Sequence, residues 1–546
     1  VVAAGNVSYK QSKYKSAIEI LQLSEKLQPD FLPTYQYLSQ IQTDAGKHKP
    51  AIDAAEKLIK NSITPLETTD ANFFLLRALL SSGNWKDIPQ VAKQYKETLE
   101  AVCDYYSSQE ISNDKYIDDD TVTLPLAAFY LSQVEDKPRQ NRLLQNQVIS
   151  IFQKIFLANQ DKHLSFPSRQ PIPNKRLKVG YIGATLRFHS VGWLSRWLIK
   201  NHTKEDFQTT VYLVNRRPDA LTEGLIAQVD DFKLLDQNTY ESAEQIAKDE
   251  IDILVDLDSA TLTETCRILS LKPAPIQITW LGWDASSLPA VDYYIADPYV
   301  LPENAQDYYQ ETIWRLPNSY VAVKGFEAGV PTLKRQDLEI PTDAVVYFSA
   351  QSATKRHPDT VRLQMQILKQ VPNSYFLIKG LGDQDIVREF FNEIAEEEGI
   401  DPNRLRFLRR DPSELAHRAN LSIADVVLDT YPYNGATTTL ETLWMGVPLV
   451  TKVGQQYVAR NSYTFLKNAG IEEGIAWTDE EYIEWGVKFG TDENLRRDVH
   501  WKLLQSRKTA PLWDIGQFIN DMETAYQQMW KRYVNEGKAA GNAETL

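Results

Sequence analysis

Cysteine is nearly absent. Cys103 and Cys266 are the two in 546 residues. They lie far apart and without metal-ligand spacing, which excludes a disulfide framework and a cysteine-bound zinc module and makes a reducing cytosol the expected compartment. Long apolar runs are missing too: none approaches the roughly 20 residues that a membrane-spanning helix needs, so a cytoplasmic protein with no membrane partner is predicted. Positive charge is in deficit. The 59 Lys and Arg set against 73 Asp and Glu leave a formal charge of -14, the wrong field for a chain that grips nucleic acid by neutralising phosphates over its surface.

What is present is a globular balance, 43% hydrophobic and 24% charged, in a chain too long for one core, so two to four domains are expected. Residues 5 to 29, GNVSYKQSKYKSAIEILQLSEKLQP, carry small and aromatic positions that return downstream: Ser12 and Gly46 are 34 apart, as are Ala17 and Ala51. That is the tetratricopeptide (TPR) period, in which two antiparallel helices pack through a small residue. Gly83 and Trp85 mark a looser third unit. An all-α TPR-like superhelical segment is predicted over 1–103, its groove suited to extended peptide, with homodimerisation as the other use of so short a stack. A helical linker is predicted over 104–175. It comprises the acidic patch Asp118 to Asp120, a helical run from Leu124 to Leu131, a docking helix with Leu143, Leu144, Val148, Ile151, Phe152 and Phe156 at helical spacing, and a proline-punctuated link from Phe166 to Pro173.

Beyond the link the texture changes to short apolar runs, each followed by a helical stretch. Lys178 to Ile182, Thr209 to Val214, Ile251 to Leu257, Gln277 to Leu281 and Tyr293 to Ala296 form one set; Val345 to Ser349, Ser374 to Ile378, Leu405 to Leu408, Val426 to Leu428 and Val447 to Thr451 form a second. Strands apolar throughout and alternating with helices belong to parallel sheets covered on both faces. Two Rossmann-like lobes are therefore predicted, 176–335 and 336–533, the second carrying the C-terminal helices, with ligands at the carboxyl ends of the strands in the cleft between them. The small, polar stretch 534–546 is expected to be a flexible tail.

The strongest local signal is DVVLDTYPYNGATTTLETLWMGVPLVT, residues 425 to 451. It reads as a buried strand, a turn with Pro432 and Asn434-Gly435, a hydroxyl-rich helix start at Thr437, Thr438 and Thr439, then a further strand. A helix start leaves backbone N–H groups unpaired at its positive end, which suits a diphosphate. The alternative is that the threonines only cap the helix. Glu441, one turn on, is placed to accept from ribose hydroxyls. The segment SAQSATKRHPDT, residues 349 to 360, puts Ser352, Lys355 and Arg356 at a strand-to-helix turn, where a lysine stabilises a departing diphosphate or is simply solvated. His417 precedes a strand and is placed to flank a base. In the first lobe VGYIGATLRFHSVGW presents His189 as a candidate base for an acceptor hydroxyl. Asp256-Leu257-Asp258 has the spacing of a metal-holding pair, although that motif goes with a single-lobe fold; carboxylates tied up at a strand end are the other reading.

Together these motifs resemble the O-GlcNAc transferase and SPINDLY family of protein O-glycosyltransferases, in texture nearest its bacterial SPINDLY-like members. The likeness covers roughly residues 5 to 100 and 176 to 533 and is carried by the repeats, KVGYIG before His189, LKPAPIQITWLGW (271 to 283), the Lys355 turn, YNGATTTLETLWMGVPLVT and AYQQMW before Lys531. The resemblance implies a GT-B α/β glycosyltransferase, inverting at the anomeric carbon, with no metal cofactor. It also implies transfer of GlcNAc from UDP-GlcNAc, or of fucose from GDP-fucose, to Ser or Thr of protein acceptors held by the repeat groove. By the same resemblance Lys355, His417, Thr437, Thr438 and Glu441 hold the donor with Ser352, Gly435 and Ala436 beside them, and His189 is the active-site histidine. A catalytically silent repeat scaffold is the rival from another class. The mammalian branch has histidines where Trp193 and Ala436 stand here, so substrate identity transfers less securely than fold.

Overall fold

The structure is a computed structural model that describes residues 1–107, 123–159, 166, 172–214, 218–235 and 238–543, with side chains to residue 536. The acidic patch Asp118 to Asp120 and most of the link between Phe166 and Pro173 lie outside the described residues.

The first six helices pair as three hairpins: α1 (Val2–Lys10) with α2 (Tyr14–Leu27), α3 (Leu32–Asp44) with α4 (His48–Asn61), and α5 (Pro65–Ser82) with α6 (Ile88–Ser107). The 34-residue offset has a physical meaning at both of its markers. Ser12 and Gly46 occupy the same left-handed position in the turn between paired helices, at φ 61° and 69°, and Gly83 repeats it at 88°. A Cβ on Gly46 would meet nothing within 4 Å, so backbone sign, not space, selects glycine there. Ala17 and Ala51 are completely buried where paired helices approach. Thr64 and Glu67 form a reciprocal capping box that fixes the start of α5.

After α6 the expected helical run from Leu124 to Leu131 proves to be a single 3-10 turn, Leu124–Leu126, followed by the four-residue α7 (Leu131–Val134). The docking helix is present as α8 (Pro138–Ala158), with Leu144, Val148, Phe152 and Phe156 buried and Leu143 exposed. Its buried Arg142 donates to Ala285 O and Ser287 Oγ, both at 2.7 Å, fastening α8 to the first lobe.

That lobe is built on seven parallel strands: β1 (Leu177–Gly183), β2 (Phe207–Val214), β3 (Asp231–Leu235), β4 (Ile253–Asp256), β5 (Ile276–Thr279), β6 (Tyr293–Ala296) and β7 (Thr312–Arg315), in spatial order 3-2-1-4-5-6-7. The second has six parallel strands: β8 (Val345–Ser349), β9 (Ser374–Lys379), β10 (Leu405–Leu408), β11 (Val426–Leu428), β12 (Leu449–Lys452) and β13 (Ile475–Ala476), in order 10-9-8-11-12-13. The order reverses between β1 and β4 in one sheet and between β8 and β11 in the other, and at such points the loops diverge and leave a crevice. The architecture is thus the expected pair of Rossmann-like lobes after a TPR-like segment. The edge strands β3, β7 and β13 were not expected; they are short or half-exposed and lack the all-apolar signature of central strands.

Two boundaries differ from expectation. The helix Ile515–Ala543 continues through most of the stretch predicted as a flexible tail. It also packs on the first lobe, not the second: Phe518 lies against Trp280, Tyr526 Oη is 3.2 Å from Tyr181 Oη, and Glu523 accepts from Thr203 N at 2.7 Å and contacts His202 Nδ1 at 2.9 Å. The chain therefore crosses between lobes twice, and the crossings are joined by Val323 N donating to Leu512 O at 3.2 Å. Among the described residues no helix is long and apolar enough to cross a membrane.

Candidate active site

The carboxyl ends of both sheets face a cavity of about 850 Å³, lined on one side by Thr185, His189, Asp258 and Trp283 and on the other by Gln351, Ser352, Lys355, Lys379, Arg410, His417 and Ala436 to Thr438. The loop after β11 is held from beneath by Asp429. Its buried carboxylate accepts from Gly435 N at 2.8 Å, Ser462 Oγ at 2.6 Å and Thr451 Oγ1 at 2.9 Å, although burial raises its pKa. A Cβ on Gly435 would come within 2.6 Å of Gln351 Nε2 and Thr438 Oγ1, so the close approach requires glycine. Gly435 thus supports the cavity floor from below while Ala436 to Thr438 form it.

The helix Thr437–Trp444 has Ala436 at its N-cap position and no side-chain cap. Alanine cannot serve the first-turn N–H groups, and the threonines do not serve them either. Thr439 turns inward to Ser462 Oγ at 2.7 Å. Thr438 Oγ1 accepts from Gln351 Nε2 at 3.2 Å. Thr437 Oγ1 is buried and, among the described residues, has no hydrogen-bond partner. The capping alternative is therefore not the arrangement found: an unsatisfied, positively polarised helix end lies open to the cavity.

Lys355 reaches the same space from the 3-10 turn Ala353–Lys355. Its Nζ donates to Asn434 O at 3.0 Å and lies 4.3 Å from the Tyr433 ring centroid. Burial pushes its pKa down to about 8 against the pull of Asp429, leaving it mostly cationic at neutral pH. Arg356 turns away, donating to Gln351 O at 2.8 Å. Ser352 Oγ is 2.7 Å from Thr354 Oγ1 on the cavity wall.

His417 is not an isolated ring. Its Nδ1 is 2.6 Å from Lys379 Nζ, and Lys379 in turn bonds Asp411. Burial and then the lysine charge push the imidazole down to about 4, so it is neutral at pH 7. Glu441 differs from expectation. It is 5% exposed and stands one layer behind the cavity wall, with Oε1 accepting from Arg418 at 3.0 Å and Oε2 3.7 Å from His417 Nε2. Burial raises it to about 7. In this arrangement it backs His417 and does not present a carboxylate to a ribose.

On the first lobe His189 is the N-cap of the helix Ser190–Ile199, Nδ1 accepting from Val191 N at 3.3 Å. Burial and Arg187 lower its pKa. Engagement of that lone pair favours the tautomer with its hydrogen on Nε2, and His189 lines the cavity. Asp258 accepts from Ala184 N at 2.7 Å, Thr185 Oγ1 at 2.9 Å and Thr265 Oγ1 at 3.0 Å. Asp256 accepts from Asp258 N at 2.9 Å and is raised to about 8 by burial and by Asp258. The pair ties the loops after β1 and β4 together, and among the described residues no cluster of side chains is arranged to hold a metal.

Sequence reasoning missed Lys379, Asp411, Gln351 and Tyr433. Lys379 left a signal, a cation closing the apolar strand SYFLIK; Asp411 left none. The repeats also reach the site. Trp85 Nε1 donates to Ala353 O at 3.2 Å and Asp383 N to Ser82 O at 3.2 Å, so the last hairpin buttresses the Lys355 turn. In the linker Asp136 accepts from Gln455 N and Gln456 N at 2.7 and 2.8 Å.

A family model described as glycosyl transferase family 41 matches residues 147–327 and 323–522. A protein of Solanum lycopersicum named probable UDP-N-acetylglucosamine–peptide N-acetylglucosaminyltransferase SPINDLY is 29% identical over 72% of this chain and 44% of its own length. The Arabidopsis thaliana protein of the same name is 28% identical over 72% and 45%. The chain thus spans under half the length of these relatives. A solved structure of a Thermobaculum terrenum O-GlcNAc transferase superposes with a TM-score of 0.79, covering 98% of this chain and 97% of that one at 23% identity, a likeness of fold.

Proposed function

We propose that this chain, which belongs to glycosyl transferase family 41, transfers a sugar from a nucleoside-diphosphate donor to Ser or Thr hydroxyls of protein acceptors, with inversion at the anomeric carbon and UDP-GlcNAc as the donor. The observation that carries this reading is the convergence on one cavity of the Lys355 ammonium and the uncapped start of the helix Thr437–Trp444. The names of the plant relatives favour the GlcNAc donor.

In the mechanism the acceptor hydroxyl attacks the anomeric carbon in line as the bond to the diphosphate breaks; its proton passes to a phosphate oxygen of the leaving diphosphate, and negative charge grows on the departing oxygens. Lys355 and the first-turn N–H groups meet that charge, each charge-assisted hydrogen bond contributing on the order of 1.5–3 kcal/mol; what strengthens in the transition state raises the rate. Thr437 Oγ1 is placed to join them. With these groups supplying the counter-charge, the reaction proceeds without a divalent cation. His189 acts through Nε2–H, orienting the acceptor or a sugar hydroxyl. The repeat groove holds the acceptor polypeptide.

Calorimetric titration with UDP, GDP, UDP-GlcNAc and GDP-fucose, with and without magnesium, tests this. Magnesium-independent binding of the uridine series is expected. Binding of the guanosine series alone would replace GlcNAc with fucose, and no binding at all would leave a repeat scaffold.

A further inference from the structure

Away from the cleft, a second recess of about 570 Å³ lies at the two crossover segments. Lys200 from the first lobe, Lys324 from the outward crossing, and Arg507 and Lys508 from the return crossing line it. In a chain of net charge -14 this is a local reversal of field. One carboxylate, Asp514, shares the lining, and its Oδ1 already accepts from Gln517 N at 3.0 Å. Among the described residues none of the four cations forms an ion pair.

Two of the cations rest on aromatic rings: Lys200 Nζ lies 4.2 Å from the Trp197 centroid, and the Arg507 guanidinium 4.4 Å from that of Trp444, which packs edge-on against Trp513. Burial, Arg196 and Lys324 all lower the Lys200 pKa. Arg507 Nε is buried and has no partner among the described residues. Cations gathered without counter-charge repel one another, and a bound anion relieves the repulsion.

We propose that this recess is a binding site for a compact polyvalent phosphate anion, a polyphosphate or phosphomonoester, held by Lys200, Lys324, Arg507 and Lys508 against Trp197 and Trp513. An occupant would touch both lobes beside the Val323–Leu512 hydrogen bond and so fix their relative position. It would also draw on Arg507, which donates to Trp444 O at the carboxyl end of the helix whose amino end faces the cleft.

Titration of the full chain with sodium tripolyphosphate at fixed ionic strength tests the site. Two proteins are compared, each with excess UDP and GDP present to occupy the cleft: wild type and the double variant Lys324→Glu with Lys508→Glu, both exposed residues, whose fold is checked by circular dichroism. Wild type should bind tripolyphosphate beside the nucleotides, and the double variant at least tenfold more weakly. Absence of binding to wild type under these conditions, which would move the anion into the cleft, or undiminished binding to the double variant overturns the proposal. Co-sedimentation with phosphatidic acid vesicles separates the sources of the same chemistry. Sedimentation that the double variant abolishes marks a phosphate presented on lipid, and tripolyphosphate binding without sedimentation marks a soluble ligand.

Discussion

The two walls of the cleft are made of the same parts and finished differently. On each, a pair of parallel strands at the reversal of strand order sends two loops toward the cavity. On the first lobe the loops are closed on themselves: Asp258 satisfies Ala184 N and Thr185 Oγ1, and His189 caps its own helix. On the second, the helix that follows β11 has alanine at its cap, a threonine hydroxyl with no partner among the described residues, and a lysine held over it. A satisfied loop offers shape and a single donor; an unsatisfied helix end offers field. In the proposed reaction the donor's charge falls on the second wall and the acceptor's orientation on the first.

The sharpest way to break this division is Lys355→Ala. Turnover should fall by about 10²–10³-fold, the scale of losing one preorganised donor to developing charge, with little change in melting temperature; near-wild-type turnover would remove the second wall's claim. His189→Ala should lower kcat by roughly tenfold or more while leaving donor affinity unchanged, since a positioned hydrogen-bonding group on the other wall acts on orientation. An equal loss of donor affinity would merge the two walls. Trp85→Phe keeps an aromatic but smaller side chain and removes the N–H from Ala353 O, an unsatisfied-carbonyl cost of about 1–3 kcal/mol that falls on the Lys355 turn. Donor KM should rise about fivefold with acceptor KM unmoved, and the reverse pattern would confine Trp85 to the repeats.

A milder effect comes from pH. Lys355 titrates at about 8 in the unliganded chain, and a bound diphosphate raises that value, so binding takes up a proton above pH 8. UDP affinity should be flat from pH 6.5 to 7.5 and weaken by up to tenfold per unit above 8, read by calorimetry in buffers of different ionisation enthalpy. The smallest change is expected from Arg507→Ala, which removes a cation from the carboxyl end of the donor helix. It should cost about 0.3–1 kcal/mol of stability and at most a severalfold loss in UDP affinity.

Much of this was legible in the chain. The 34-residue period located the turns that became Ser12 and Gly46, because a left-handed turn residue and a crossing alanine leave a fixed spacing. Fully apolar runs located the central strands of both sheets, because burial on both faces leaves no polar position. Lys355, Thr437 and Thr438, read from charge and hydroxyl density in a turn, do come together on the cavity wall, whereas Thr439 turns inward. Glu441 misled because helical position gives direction along the axis, not what stands in front of the side chain. Arg418, from a separate helix, reached it first.

Composition and periodicity, then, determined the layers: helical repeats, two covered parallel sheets and a cleft at their carboxyl ends, since each follows from which residues must leave water. The tertiary structure alone decided four things. It left the helix at Thr437 uncapped and tied His189 Nδ1 to the start of its own helix. It set Trp85 of the repeats against the Lys355 turn and returned the last helix to the first lobe. Hydrogen-bond partners hundreds of residues apart, such as Trp85 with Ala353 and Tyr181 with Tyr526, are chosen by packing, and no local pattern encodes them.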